Sequence, residues 1–133
     1  MSYFALRLNP GDDLYTTLLT FIKENSLSAV TIVSCVGSVT LAFIRFCDAP
    51  TGVLCTGPFE IVSLVGTLGL NETAHLHISL GDSQGKTISG HLCNVSTPVH
   101  TTAEIVLLSL PSLEFRRSFD ERTGYKELVI TPK

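Results

Sequence analysis

Three of the four histidines, His75, His77 and His91, lie on two short apolar stretches, Ala74 to Leu80 and Thr87 to Cys93. Neutral imidazole is the commonest metal ligand near neutral pH, and three imidazoles with an open fourth position suit zinc or a similar divalent metal. A lone His-X-His pair carries little weight, because alternation along any polar strand face produces one. The third histidine changes the reading, since its place follows from an independent constraint: the pairing register of the two strands.

In a strand, His75 and His77 share one face while Leu76, Ile78 and Leu80 share the other. Between the stretches, Gly81-Asp82-Ser83-Gln84-Gly85-Lys86 supplies the residues of a hairpin turn. A chain reversing about Gln84 sets Leu80 opposite Ile88, Ile78 opposite Gly90, Leu76 opposite Leu92 and His77 opposite His91. Each apolar side chain then meets an apolar one or a glycine. A slip of one residue would set Leu80 against Thr87 and Leu76 against His91, mixing the faces. The first register gathers the three imidazoles on one polar face, with cross-strand neighbours about 5 Å apart at Cβ. No carboxylate on either strand closes a four-ligand structural site. Water, or a residue from elsewhere, fills the remaining position, and Glu60 and Glu104 are the candidates. His100, beside Thr101 and Thr102, reads as a cap or surface residue.

The elements that must hold this hairpin are mostly strands. Tyr3 to Leu8 alternates Phe4, Leu6 and Leu8 against Tyr3, Ala5 and Arg7, the pattern of a half-buried strand. After the turn Asn9-Pro10-Gly11, Asp12 or Asp13 can cap a helix whose stripe Leu14, Leu18, Phe21 and Ile22 has helical spacing and ends around Asn25. From Ser28 onward the period is that of strands: Ala29 to Val36, a bend at Gly37-Ser38, Val39 to Phe46, and a turn over Asp48 to Gly52. Phe59 to Leu70 follows as a long strand in which Gly66 and Gly69 mark a bulge or a close backbone approach. Val95 to Val99 is irregular. Thr101 to Leu110 is apolar almost throughout, as in a strand buried on both sides or lying in a subunit interface. Glu114 to Phe119 and Tyr125 to Thr131 close the chain as a hairpin. Seven or eight strands with one main helix against a sheet face make an α+β fold, mainly antiparallel, and residues 1–133 read as one domain.

Charged residues are 16 % of the chain, against about 25 % in an average soluble domain, and the mean hydropathy is +0.36. No apolar run reaches the ~18 residues that span a bilayer, which leaves self-association as the account of so apolar a surface. A net charge of -3 and a pI near 5.7 offer nucleic-acid phosphates no basic footprint. Arg116, Arg117, Arg122 and Lys126 alternate with Glu114, Asp120, Glu121 and Glu127, as on a solvated mixed face. Cys35, Cys47, Cys55 and Cys93 show no Cys-X-X-Cys spacing and read as free thiols of a reducing compartment. With no secretory leader at Met1, the expected location is the cytoplasm, or the nucleus. Neither a Gly-X-Gly-X-X-Gly nor a Gly-X-Ser-X-Gly motif occurs, so the nucleotide-binding and serine-hydrolase readings have no support.

Several segments, in this order and spacing, resemble the PPC domain of plant and prokaryote proteins. They are Arg7-Leu8-Asn9-Pro10-Gly11-Asp12-Asp13-Leu14, Val36-Gly37-Ser38-Val39, Gly57 to Thr67, His75-Leu76-His77-Ile78, Gly90-His91-Leu92, Thr102-Ala103-Glu104-Ile105 and Thr123-Gly124-Tyr125. The resemblance implies an antiparallel sheet with a flanking helix, assembled as a homotrimer. It also implies a metal on the positions of His75, His77 and His91, as in some prokaryotic relatives. Plant relatives join the domain to AT-hooks, whose Arg-Gly-Arg-Pro core enters the A·T minor groove, and use the domain itself for trimerisation and contact with nuclear proteins. No Arg-Gly-Arg occurs here, so DNA binding does not carry over. Pro58 stands where the plant motif has arginine, and Ser89 replaces the first glycine of Gly-Gly-His.

Two functions fit these residues. The first is a trimeric interaction module with a three-histidine metal site. The second is a small metalloenzyme in which the ion activates water or polarises a carbonyl, with Glu60 or Glu104 as base. Spacing specifies no acid, nucleophile or substrate pocket, which favours the first and leaves catalytic residues unassigned.

Overall fold

The computed structural model describes residues 1–71 and 73–133. Its elements are β1 (Ser2–Leu8), α1 (Leu14–Glu24), β2 (Val30–Arg45), β3 (Val53–Leu68), β4 (Ala74–Gly81), β5 (Thr87–Leu92), β6 (Val99–Ser109), β7 (Leu113–Asp120) and β8 (Tyr125–Pro132). The expected α+β class, mostly antiparallel strands with one helix, is what the chain adopts. Six strands form one sheet in the order β1-β6-β2-β3-β4-β5, and β7 and β8 pair separately. The far end of β2 also pairs with β5, through Ile44 with Leu92 and Arg45 with His91. That pairing closes β2, β3, β4 and β5 on one another and brings Arg45 beside His91.

The helix starts where the sequence allows an N-cap. Asp13 is extended, and its Oδ1 accepts from the Thr16 amide at 2.9 Å, satisfying a donor that the first turn leaves free. Its Oδ2 accepts from the Thr97 amide at 2.6 Å, so one carboxylate also ties the irregular segment before β6 to the helix. Leu14, Leu18 and Ile22 are buried and join Leu8, Leu76, Leu80, Leu92, Ile105 and Leu107 in the core between α1 and the sheet. Burying a side chain of this size contributes roughly 1.5–3 kcal/mol relative to leaving it exposed.

Two expectations about strands are corrected. Gly37-Ser38 does not separate two strands, because β2 runs without a break from Val30 to Arg45. Gly37 has φ +149° and its Cα lies so close to β6 that an added Cβ would stand 2.0 Å from the Thr102 carbonyl oxygen. The glycine is there for contact with the neighbouring strand rather than for a bend, and the pairing with β6 shifts register beside it. For β6, the first of the two alternatives, burial on both sides, is corrected, because within the chain its burial is one-sided. Ala103, Ile105 and Leu107 are buried, Val106 and Leu108 are half-exposed on the opposite face, and Glu104 is exposed. None of the described helices is long and apolar enough to cross a membrane.

Candidate functional site

The turn that sets the histidine register is held by one side chain. Asp82 Oδ1 accepts from the amides of Gln84 at 2.8 Å and Lys86 at 2.9 Å, while the Asp82 amide donates to the Lys86 carbonyl at 2.8 Å. Strands β4 and β5 therefore pair His77 with His91, Ile78 with Gly90 and Leu80 with Ile88, as the alternation of faces requires. Leu92 continues onto β2, paired with Ile44. Leu76, Ile78 and Leu80 enter the core while His75 and His77 stay on the outer face.

The three imidazoles converge. Ring centroids lie 4.9 Å apart for His75 and His77, 5.1 Å for His75 and His91, and 5.9 Å for His77 and His91. His75 Nε2 and His77 Nε2 are 3.1 Å apart, and one ring nitrogen from each of the three residues lies within 4.8 Å of the others. An ion about 2.0–2.1 Å from each nitrogen in a tetrahedral site spaces its ligands about 3.3 Å apart, so the first pair is already set and His91 needs a small ring movement. His91 Nδ1 is buried with no hydrogen-bond partner among the described residues, a cost that a partner at that nitrogen, a metal ion included, would remove. Burial first, then the charges of His75 and Arg45, push the His91 imidazole down to about 4. Burial and next Arg117 hold His75 below its ordinary value. Both rings are therefore neutral at pH 7, the protonation state that a ligand nitrogen needs.

Neither expected carboxylate reaches this cluster within the chain. Glu60 pairs with Gly81, four residues along β4 from His77 and thus about 13 Å away. Glu104 lies between Arg7 and Val36, and β2 and β3 separate its strand from β4. Both are exposed, and so is His100. The acid that does come close belongs to the closing hairpin. A cavity of about 830 Å³ is lined by His75, His91, Arg45, Arg117, Tyr125 and Glu127, among others. Arg117, expected on a solvated mixed face, instead turns inward and donates from Nη2 to Thr67 Oγ1 at 3.0 Å. Thr67 is the cross-strand partner of His75. The alternation Phe115, Arg117, Phe119 against Glu114, Arg116, Ser118 in β7 was the available signal for an inward arginine. Arg45 had no such signal, because its place beside His91 depends on the closure of β2 onto β5.

An antiparallel sheet backed by one helix, with three imidazoles converging under a cleft, defines an α+β protein with a candidate metal-binding site. The chain belongs to the Plants and Prokaryotes Conserved (PCC) domain family, whose sequence profile matches residues 1–111. It is similar in structure to a hypothetical protein from Salmonella enterica, with a TM-score of 0.95 and 37 % identity over 99 % of this chain and 94 % of that one. A metal-containing protein from Archaeoglobus fulgidus gives a TM-score of 0.83 and 31 % identity, covering 97 % of this chain and 94 % of that one. In sequence, the chain is 38 % identical over 132 residues to part of a Synechococcus bifunctional protein GlmU, matching 99 % of this chain and 21 % of that protein. It thus spans about a fifth of the length of the curated relatives that it matches.

Proposed function

We propose that this chain is a homotrimeric interaction module that holds one divalent ion, zinc by preference, on His75, His77 and His91. The observation that carries the metal reading is the convergence of three ring nitrogens within 4.8 Å beside an orphaned, buried His91 Nδ1. Three imidazoles form a donor set suited to zinc, and the Archaeoglobus relative at 31 % identity is described as metal-containing. Val33, Val36, Val62 and Val65 support the trimer: each is more than half exposed on strands that also supply core side chains such as Ile32, Ile44, Ile61 and Leu64. A charge content of 16 % leaves that apolar surface thinly protected. The net charge of -3 supports no role for direct DNA binding.

Elemental analysis of protein prepared without a histidine tag tests the metal. The expected result is about one zinc per chain, lost in His77→Ala; equal metal content in the two proteins rejects the assignment. Light scattering should report three times the 14.4 kDa chain mass, and a monomer mass rejects the trimer.

A second reading, a small metal-dependent enzyme, gains from one observation. The cluster opens onto a cavity of about 830 Å³ that also contains a carboxylate, Glu127. When bound, a divalent ion supplies a Lewis acid able to polarise a carbonyl or acidify water. Glu127, steadied by a hydrogen bond from Thr123 Oγ1 at 2.9 Å, would then be the proton acceptor in place of Glu60 and Glu104.

A further inference from the structure

The cleft wall is more cationic than a module that binds only an ion requires. Arg45, Arg116, Arg117 and Lys126 line the cavity together with two described carboxylates, Glu114 and Glu127. Arg116 is taken up by Glu114 at 3.0 Å, which leaves Glu127, among the described residues, as the carboxylate in the lining that faces Arg45, Arg117 and Lys126. Among the described residues, neither Arg45 nor Arg117 has a carboxylate oxygen within 4.0 Å.

Both arginines are held in place without an ion pair among the described residues. The Arg117 side chain is half-buried and fixed to Thr67 through Nη2, and its Nε is buried with no partner among the described residues. The Arg45 guanidinium lies 5.6 Å from the centre of the Tyr125 ring, a contact that orients the group without a formal counter-charge. A guanidinium withdrawn from water without a counter-ion is costly, and an anion in the cleft recovers that cost. Guanidinium forks match planar or tetrahedral oxyanions through paired hydrogen bonds. The volume fits a small molecule rather than a macromolecule, since ligand pockets commonly measure roughly 300–1,000 Å³.

We propose that the cleft takes a small molecule bearing an oxyanion group, a carboxylate or a phosphate, clamped by Arg117 and Arg45 beside the three histidines. The placement of an ion next to this anion rests on the metal reading given above; the arginine clamp does not.

Calorimetric titration of the full chain, zinc-loaded and chelator-treated, with inorganic phosphate and separately with succinate tests the clamp and separates the two anion classes. Saturable binding of at least one anion is expected, weakened about 10- to 100-fold in both Arg117→Gln and Arg45→Gln, with zinc content unchanged. Arg117 is partly buried, so circular dichroism checks that its variant folds, and Arg45→Gln decides the matter if it does not. Absence of saturable binding of either anion, equal affinity in wild type and variants, or tight binding of a DNA duplex with none of either anion would overturn the proposal. Zinc bound without any anion site leaves the metal reading standing and removes this one. An arginine-dependent anion site in protein that holds no zinc does the reverse.

Discussion

Replacing Gly66 by alanine tests the contact that sets the height of His75 on the sheet. Gly66 in β3 has φ +152°, and a Cβ there would stand 2.0 Å from the His75 carbonyl oxygen and 2.9 Å from Leu76 Cδ2. A carbon–oxygen contact needs about 3.3 Å, so β3 and β4 would have to part by more than about 1 Å at the histidine cluster. Forcing an extra methyl into a packed site costs roughly 1–3 kcal/mol, and a side chain held in this part of backbone space adds about 1–3 kcal/mol. The expected loss is therefore about 2–6 kcal/mol out of a typical total of about 5–15 kcal/mol. Gly85→Ala is the matched control: its φ is +79° and nothing lies within 4 Å of the added methyl, so only backbone strain of roughly 1–2 kcal/mol applies. Urea unfolding of chelator-treated proteins at one protein concentration measures the difference. Zinc titration of the same samples should show weaker binding in Gly66→Ala only, because only that change displaces a histidine backbone. If Gly66→Ala is no less stable than Gly85→Ala, β3 and β4 do not approach as described and the positioning of His75 has another cause.

Other perturbations have equally definite outcomes. His91 is held at about 4 in the folded chain against an ordinary value of 6.5, so the unfolded state binds more protons between these values. The stability that this difference contributes is whole above about pH 6.5 and is lost as pH falls through about 4, an effect of about 1–2 kcal/mol once solvent screening of a half-exposed group is allowed for. Metal-free protein should thus lose stability across that window, and His91→Gln should flatten the slope; identical slopes refute the assignment to His91. Asp13→Ala removes acceptors for the Thr16 and Thr97 amides and should lower the stability measured in urea by about 1–3 kcal/mol. An unchanged midpoint would show that the double cap contributes nothing.

The features legible in the sequence were those that depend on neighbours in the chain. Asp13 and the Leu14, Leu18, Ile22 stripe placed α1, and the alternation about Gln84 placed His77 opposite His91, because a hairpin register is decided by the turn and by which face is buried. Longer-range packing was not legible. A glycine reads the same in sequence whether it bends a strand or admits a neighbouring backbone, so Gly37 reads as a bend although it lies against Thr102. The start of β3 at Val53, six residues before the apolar pattern becomes clear, follows from pairing with Val39 to Ile44 rather than from its own composition. The cleft depends on two such events. Closure of β2 onto β5 brings in Arg45, and docking of β7 turns Arg117 inward, with the Phe115 amide donating to the Ser28 carbonyl at 2.9 Å and Ser28 Oγ to the Leu113 carbonyl at 2.8 Å. All four cysteines are free thiols, in line with their spacing.

The match to the family profile ends at residue 111, and the hairpin that supplies Arg117, Tyr125 and Glu127 to the cleft begins at Leu113. The histidine floor and the hairpin part of the wall are thus encoded by different stretches of the chain, while Arg45 of the wall comes from β2. The floor is tied to the core through Leu76, Ile78 and Leu80, where most substitutions unsettle the fold. By contrast, the β7–β8 part of the wall is a two-stranded ribbon docked through contacts such as the Phe115 amide with the Ser28 carbonyl and Arg117 with Thr67. Substitution within the last twenty or so residues would thus rewrite the charges that Arg116, Arg117, Lys126 and Glu127 bring to the cleft while leaving the three histidine positions as they are.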